Sequence, residues 1–247
     1  MEIIKLKISS DDGYLDIDDL PLNCSFNKKK TGSGGTRIAL KNDENYVILV
    51  PTTELILNKC YPPTDEEGNE LEWKKEVLKP GLSPVRNLFG LFGPTAAILK
   101  DFNNYLKKGG VKKIIATYDK ISWLVKHCDP KQFRLLIDEE QELLKIYSYR
   151  KEAVEGVFAH YKDFKSFVFM SATPIDMDFR PSFMKEIPMV VAEWNTTDRL
   201  SIIPQQTNQP YLFVANIIKD FRLNGFIEVN GVKSEQLFIY LNNLSIT

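Results

Sequence analysis

Two carboxylates at the end of an apolar run are the side chains of this sequence best suited to chemistry. Residues 133–137 are mainly apolar, Asp138 and Glu139 follow them, and Gln141 stands just before a helical pattern. A buried parallel strand that ends in acids projects them into the crevice where α/β sheets bind ligands. There an Asp can hold Mg²⁺ and a Glu can orient or deprotonate water. The alternative is a helix whose first turn is acidic because its dipole favours acids.

A glycine-rich turn after a possible first core strand, over residues 22–27, has the layout of a phosphate-binding loop. The turn consists of glycines and hydroxyl residues: Thr31, Gly32, Ser33, Gly34, Gly35 and Thr36. Glycines let backbone N–H groups face an anion, and the helix that follows adds partial positive charge. The usual pattern ends in Gly-Lys-Ser/Thr, and here Gly35 occupies the lysine position. The alternative is a flexible loop before a helix.

Five apolar strands, each followed by a polar or glycine-rich turn and a helix, predict a mainly parallel α/β sheet. The turns are residues 28–36, 51–53, 117–120, 138–141 and 171–173. All five would lie on one rim of the sheet, the rim where such folds bind ligands.

Further elements are predicted from periodicity and turn residues. Helices are expected over 94–108, from the acids to about 161, and over 210–223. Outer strands are expected over 3–8, 189–193, 200–204, 226–229 and 236–241, the last two around the turn signal Asn230-Gly231.

Composition indicates a globular chain without a global attraction to nucleic acid. The 247 residues are 43% hydrophobic and 26% charged, with a net charge of −1, so a nucleic-acid site must be a local basic patch. No apolar run reaches membrane-spanning length, no secretory segment is present, and the three cysteines lack ligand spacing. We therefore expect a cytoplasmic protein in a reducing compartment, and its Lys and Asn content suits a phage or mobile-element origin.

The motifs and their order resemble superfamily 2 helicases and translocases, the DEAD/DEAH-like nucleic-acid-dependent ATPases. TGSGGT stands for motif I, VPTTEL for motif Ia, ATYDK for the region of motif Ib, LIDEEQ for motif II and MSATP for motif III. The resemblance covers residues 22–175, and MSATP after LIDEEQ is its most specific part. It implies a RecA-like P-loop NTPase fold of three layers with a mainly parallel central sheet.

The resemblance implies ATP and Mg²⁺ as cofactors and a role for each matching residue. Thr36 and Asp138 would hold Mg²⁺, Glu139 would activate the attacking water, and Gln141 would link the nucleotide site to MSATP. The residues expected to surround the phosphates are Lys28, Lys30, Thr31, Gly32, Ser33, Gly34, Gly35, Thr36 and Arg37.

Two further groups follow from the same resemblance. Pro51, Thr52 and Thr117 would meet the backbone of a DNA or RNA track, expected to be single-stranded, and such contacts position a strand without reading its sequence. The residues that couple the state of ATP to domain movement would be Ser171, Ala172 and Thr173.

The family's missing lysine leaves two hypotheses open. One such charge at about 4 Å from a phosphate is worth on the order of 4 kcal/mol at an effective dielectric near 20. Either the site is degenerate, or Lys28 or Lys30 at the start of the loop replaces the lysine. The intact Asp138, Glu139 and Thr36 motivate replacement, and a solvated basic run is the alternative.

The resemblance also predicts the domain organisation and the activity. A RecA-like ATPase domain would span 1–195 with a surface insertion over 61–93. A linker and helix over 196–224 would precede the start of a truncated second RecA-like domain over 225–247, where residues 236–243 resemble motif IV. The implied reaction is Mg²⁺-dependent ATP hydrolysis coupled to movement on nucleic acid. The alternatives are a binding module that keeps the fold without hydrolysis and another P-loop enzyme, such as a small-molecule kinase.

Overall fold

A mainly parallel sheet of nine strands forms the centre of the first unit. The computed structural model describes residues 2–64, 69–74, 78–195, 208–229 and 232–234. Within these ranges the strands of the sheet are Ile3–Ile8 (β1), Cys24–Asn27 (β2), Tyr46–Val50 (β3), Gly81–Leu82 (β4), Leu88–Leu91 (β5), Lys113–Thr117 (β6), Arg134–Asp138 (β7), Ser166–Ser171 (β8) and Met189–Trp194 (β9). Their order across the sheet is β1-β9-β2-β8-β7-β3-β6-β5-β4, and only the β4–β5 pair is antiparallel.

The strand order brings the five predicted turns to one rim. Strands β2, β8, β7, β3 and β6 are consecutive neighbours and all parallel, so their carboxyl ends share an edge. In register, Asn27 lies beside Ser171, and Asp138 lies beside Met170. The predicted α/β class with a mainly parallel central sheet is confirmed.

Apolar layers cover both faces of the sheet, which explains why its central strands read as continuous apolar runs. All five residues of β3 are at most 1% exposed. Val47 and Leu49 pack into one apolar cluster, whereas Ile48 and Val50 pack into the other, because successive side chains of a strand alternate between faces. The chain therefore forms a helix–sheet–helix arrangement with a rim free for ligands.

The helices of the described residues are Gly35–Lys41 (α1), Thr53–Cys60 (α2), Leu99–Lys107 (α3), Ile121–His127 (α4), Gln141–Ile146 (α5), Lys151–His160 (α6), Ser182–Lys185 (α7) and Pro210–Asn224 (α8). The single helix predicted from the acids to about 161 is wrong. It is divided into α5 and α6 by a turn that ends at Arg150, whose backbone is not helical. The Arg150 side chain bonds groups outside both helices, which stabilises the turn in place of a helical continuation.

Part of the segment expected as a surface insertion belongs to the sheet. Strand β5 lies beside β6 and is fully buried, and Phe89 is 0% exposed. The preceding residues pack against the domain as expected, because the Trp73 indole donates to the Pro62 carbonyl at 2.8 Å and contacts the Tyr61 ring edge to face.

The chain divides into two compact units, Met1–Thr197 and Asp198–Thr247. In the second unit, Gly225 ends α8 with a φ of 73°, and the hairpin Ile227–Val229 (β10) and Val232–Ser234 (β11) follows. Strand β10 thus pairs with residues 232–234. Two predicted strands, over 200–204 and 236–241, lie outside the described residues, and so does the segment that resembles motif IV. The predicted domain boundaries stay a prediction. No helix in the described ranges has both the length and the apolar character needed to cross a membrane.

Candidate functional site

The glycine-rich turn and the acidic turn meet at the rim of the sheet. Thr36 lies in the first turn of α1, and its Oγ1 donates to Asp138 Oδ2 at 2.7 Å. Asp138 ends β7 and is only 8% exposed. Burial raises the pKa of Asp138 above its ordinary value, and the Lys28 ammonium and the Thr36 hydroxyl oppose this shift. A carboxylate and a hydroxyl oxygen side by side form the hard oxygen set that Mg²⁺ prefers, so these residues fit that ion.

Lys28 supplies the cation of the site. Lys28 is 5% exposed, and its Nζ lies 3.8 Å from Glu139 Oε1. The backbone of Lys28 is fixed on both sides, because its N–H donates to the Ser171 carbonyl and its carbonyl accepts from the Trp194 indole, each at 2.9 Å. The Nζ of Lys30 instead lies 4.7 Å from the centroid of the Trp194 ring. Of the two lysines proposed to replace the missing one, Lys28 is therefore the one beside the acids.

The space next to Gly35, the position of the missing lysine, is filled by another side chain. A Cβ on Gly35 would lie 2.3 Å from Met170 Sδ and 2.7 Å from Met170 Cε, and Met170 is fully buried. Gly34 has a φ of 86°, a backbone conformation that favours glycine. Glycine therefore suits position 34 because of its backbone conformation, and position 35 because Met170 fills the space beside it.

A chain of hydrogen bonds joins the acidic turn to the MSATP turn. The amide of Gln141 donates from Nε2 to Glu139 Oε2 at 2.6 Å, and its Oε1 accepts from Ser171 Oγ at 2.6 Å. Ser171 Oγ in turn accepts from the backbone N–H of Thr173 at 2.9 Å. Gln141 thus fixes the Glu139 carboxylate and couples its position to the segment that follows β8.

Glu139 has a strained backbone that its neighbours hold in place. Its φ is 57°, a left-handed conformation that costs a non-glycine residue about 1–3 kcal/mol. Its N–H donates to Asp138 Oδ1 at 3.1 Å, and the buried Tyr118 hydroxyl bonds the carbonyls of Asp138 at 2.5 Å and Glu139 at 3.2 Å. These contacts direct the Glu139 side chain into the site.

The residues expected to contact nucleic acid differ in their exposure to solvent. Thr52 is exposed before α2, whereas Thr117 is 5% exposed and hydrogen-bonds Asp119, so the structure does not present Thr117 to solvent. The carbonyl of Pro51 accepts from Arg150 Nη1 at 3.1 Å, and Arg150 Nη2 lies 2.8 Å from Asp119 Oδ1. Arg150, which the sequence analysis missed, therefore links the two turns.

The other expected residues surround the loop. Thr31 and Gly32 are exposed, Ser33 is buried and donates from Oγ to the Lys30 carbonyl at 3.0 Å, and Ala172 is buried. A cavity of about 390 Å³ lies beside the loop. Its lining includes Tyr14, Asp16, Ser33, Gly34 and Arg37. The Arg37 guanidinium lies 5.6 Å from the centroid of the Tyr14 ring.

Two charged residues beneath the rim were also missed, Glu140 and Arg180, which form a fully buried ion pair. Three consecutive acids over 138–140 indicate that any buried member needs a cation. No sequence pattern identifies the partner, because it lies 40 residues further along the chain.

Comparisons with known proteins find similar chains among solved structures but none among family models or curated proteins. No family model matches the sequence, and no curated protein matches it. Among solved structures, the chain is similar to a DEAD box protein from the hyperthermophile Methanococcus jannaschii, with 19% sequence identity and a TM-score of 0.44. The similarity covers 81% of this chain and 53% of that chain, so this chain spans about half the length of that protein.

Proposed function

We propose that the protein binds ATP and Mg²⁺ at this rim and hydrolyses the nucleotide, as the N-terminal ATP-binding domain of a nucleic-acid helicase or translocase. The observation that carries the proposal is the 2.7 Å contact between Thr36 Oγ1 and Asp138 Oδ2, beside the pair of Lys28 and Glu139. Ligands for a metal ion, a cation for phosphate oxygens and a base for water are the parts that phosphoryl transfer requires.

Each side chain has a distinct part in the proposed reaction. Thr36 and Asp138 would hold Mg²⁺, which would neutralise charge on the phosphates. Lys28 binds a phosphate oxygen in place of the lysine absent at Gly35. Glu139 accepts a proton from the attacking water, whose oxygen bonds to the γ-phosphorus while ADP leaves with the electrons of the broken P–O bond. Gln141 holds the Glu139 carboxylate in the orientation for that transfer.

The proposed nucleic-acid contact is local and does not depend on sequence. Thr52 is exposed at the same rim, and Arg150 joins the Pro51 turn to the turn that follows β6. The N-terminal turn of α2 and the Arg150 guanidinium suit phosphate oxygens of DNA or RNA. Such contacts fix a strand without reading its bases. Ser171 and Thr173, expected to couple the state of ATP to domain movement, are joined to the Glu139 carboxylate through Gln141.

Calorimetric titration with ATP, with and without Mg²⁺, tests the proposal together with a hydrolysis assay. We expect Mg²⁺-dependent binding by the wild-type protein and a loss of that dependence in Asp138→Asn. Glu139→Gln should bind ATP within about threefold of wild type and lose at least about 100-fold in hydrolysis rate, because it keeps the shape but removes the base. Absence of ATP binding by the wild-type protein would overturn the proposal.

A helicase-like binding module without hydrolysis is the second candidate, and Gly35 at the lysine position favours it. It predicts ATP binding with no turnover, even when single-stranded DNA or RNA is added. Stimulation of hydrolysis by single-stranded nucleic acid would favour the helicase or translocase and would also exclude a small-molecule kinase.

A further inference from the structure

Three polar side chains form a buried cluster directly beneath the candidate site. Arg180 Nη2 lies 2.6 Å from Glu140 Oε1, and both side chains are 0% exposed. Ser25 Oγ donates to Glu140 Oε2 at 3.0 Å and accepts from Arg180 Nη2 at 2.9 Å. Each member thus contacts both others.

The cluster joins the acidic turn of the rim to the elements next to two of the other turns. Ser25 lies on β2, the strand that leads into Lys28. Glu140 directly follows Glu139, and Arg180 ends the segment that follows MSATP. The Arg180 Nε also donates to the Ile175 carbonyl at 3.0 Å, so this segment is closed on itself as well as attached to the acidic turn.

Stability alone does not account for the cluster. The free-energy cost of removing two charges from water offsets or exceeds their mutual attraction. Apolar residues of similar volume often replace a buried ion pair without loss of stability. The cluster also leaves Arg180 Nη1 without a hydrogen-bond partner among the described residues, which adds to the cost. A costly arrangement that connects functional turns indicates a role in positioning.

The backbone geometry shows what the cluster holds. Glu139 has a φ of 57° and lies between two anchored neighbours, Asp138 bonded to Thr36 and Glu140 bonded to Arg180. A strained conformation persists only where the surroundings fix it on both sides. A displacement of Arg180 therefore changes the anchor of Glu140 and the direction of the Glu139 carboxylate.

The segment that carries Arg180 is exposed at the residues just before it. Phe179 is 76% exposed and Met177 is 37% exposed, whereas Arg180 is 3% exposed. A group that contacts the exposed residues can thus move a buried anchor. We propose that Glu140 and Arg180 are positioning residues that transmit the position of residues 175–180 to Glu139 and so control hydrolysis.

This inference rests on the proposed ATP hydrolysis, and replacement of the ion pair by apolar residues tests it. Each single variant, Glu140→Leu or Arg180→Met, strands a buried charge and should lower the midpoint of urea unfolding. The double variant Glu140→Leu/Arg180→Met should regain the wild-type midpoint and bind ATP within about threefold of wild type. We expect its kcat to remain at least about tenfold below wild type while KM changes little.

A second variant and a control make the result specific. Glu140→Gln keeps the size of the side chain, removes the charge, and should lower kcat by a similar factor. The control is Arg134→Met/Glu44→Leu at the opposite end of β7. It removes the 2.9 Å ion pair between these residues, together with the pairs of Arg134 with Asp19 and of Glu44 with Lys165, and should leave kcat unchanged.

The outcomes separate the two proposals. A wild-type protein that binds no ATP, or that binds ATP without turnover, would overturn the proposed hydrolysis, and the inference with it. ATP binding and hydrolysis at wild-type kcat in the double variant or in Glu140→Gln would overturn the inference alone, because the cluster would then serve stability only. An equal fall of kcat in the Arg134→Met/Glu44→Leu control would also contradict it.

Discussion

The Met170 side chain fills the space that a side chain at Gly35 would need. A Cβ on Gly35 would lie 2.3 Å from the Met170 sulfur, and Met170 is fully buried on β8, the strand between the glycine-rich turn and the acids. The methionine of MSATP therefore fills the volume in which a lysine at position 35 would begin. A larger residue at position 35 therefore requires the end of the Met170 side chain to move.

The first prediction concerns the coupling of these two positions. Gly35→Ala should lower the free energy of unfolding by about 1–3 kcal/mol through overpacking, and Met170→Ala by about 2–5 kcal/mol through a cavity. The double variant should lose at least about 1 kcal/mol less free energy of unfolding than the sum of the two single losses. The reason is that the cavity left by Met170→Ala accepts the methyl group added by Gly35→Ala. Urea unfolding measures all three variants.

The control for this cycle is Gly109→Ala. A Cβ on Gly109 would meet nothing within 4 Å, so this change should be within about 0.5 kcal/mol of wild type. Strict additivity of Gly35→Ala and Met170→Ala would show that the two residues do not compete for space.

The second prediction assigns the phosphate-binding cation to Lys28. Lys28→Met should weaken Mg²⁺-dependent ATP binding at least about 100-fold, since one charge at about 4 Å is worth on the order of 4 kcal/mol at an effective dielectric near 20. Lys30→Met should weaken it less than about threefold, because the Lys30 ammonium lies on the Trp194 ring. Calorimetric titration measures both, with the exposed Lys29→Gln as the control, and unchanged affinity in Lys28→Met would remove the assignment.

Much of this rim could be predicted from the sequence because each part is local in the chain. Apolar runs that end in polar residues gave β2, β3, β6, β7 and β8, and parallel strands must share an edge. Contacts between turns could not be predicted in the same way. Nothing in the motif LIDEEQ distinguishes Glu139, which faces Lys28, from Glu140, which is buried against Arg180.

The differences from the sequence-based expectations have physical causes. The helix expected up to about 161 is interrupted because Arg150 finds its partners outside the helix, at the Pro51 carbonyl and Asp119. Strand β5 lies within the segment expected as an insertion, and its pairing with β6 shows that it belongs to the core sheet. Tertiary contacts outweigh local pattern at both places.

The third prediction concerns the proposed nucleic-acid contact at the Pro51 turn. Arg150→Met should weaken binding of a single-stranded oligonucleotide by about tenfold, because it removes a positive charge and releases the Pro51 turn from the Asp119 turn. Fluorescence anisotropy at fixed salt measures the affinity for DNA and for RNA. Lys107→Met, an exposed charge at the end of α3, is the control, and an equal loss in both variants would indicate only a general effect of charge.

The fourth prediction is a pH dependence of stability. Burial lowers the pKa of Lys113 from its ordinary 10.5 to about 8, against the opposing charges of Asp43 and Glu44. Between these two values the unfolded chain binds more protons than the folded chain, so the free energy of unfolding from this residue rises with pH. Below the folded pKa both states are protonated, and the dependence disappears.

Comparison with Lys113→Met isolates this contribution. The excess stability of wild type over the variant should be larger at about pH 9.5 than at about pH 7.5. Ionisation of tyrosines in the unfolded chain is common to both proteins and cancels in this difference. The ammonium donates to the carbonyls of Ala39 and Glu44 and to Asn42 Oδ1, so the variant is less stable at both values. A difference that is constant or falls with pH would contradict the lowered pKa.

The most direct measurement is a crystal structure of the protein with Mg²⁺ and a non-hydrolysable ATP analogue. We expect the metal ion between Thr36 Oγ1 and Asp138, the Lys28 ammonium on a phosphate oxygen, and the Glu139 carboxylate facing the terminal phosphate. A nucleotide bound elsewhere, or phosphates that contact neither Thr36 nor Lys28, would contradict the assignment of this rim as an ATPase site.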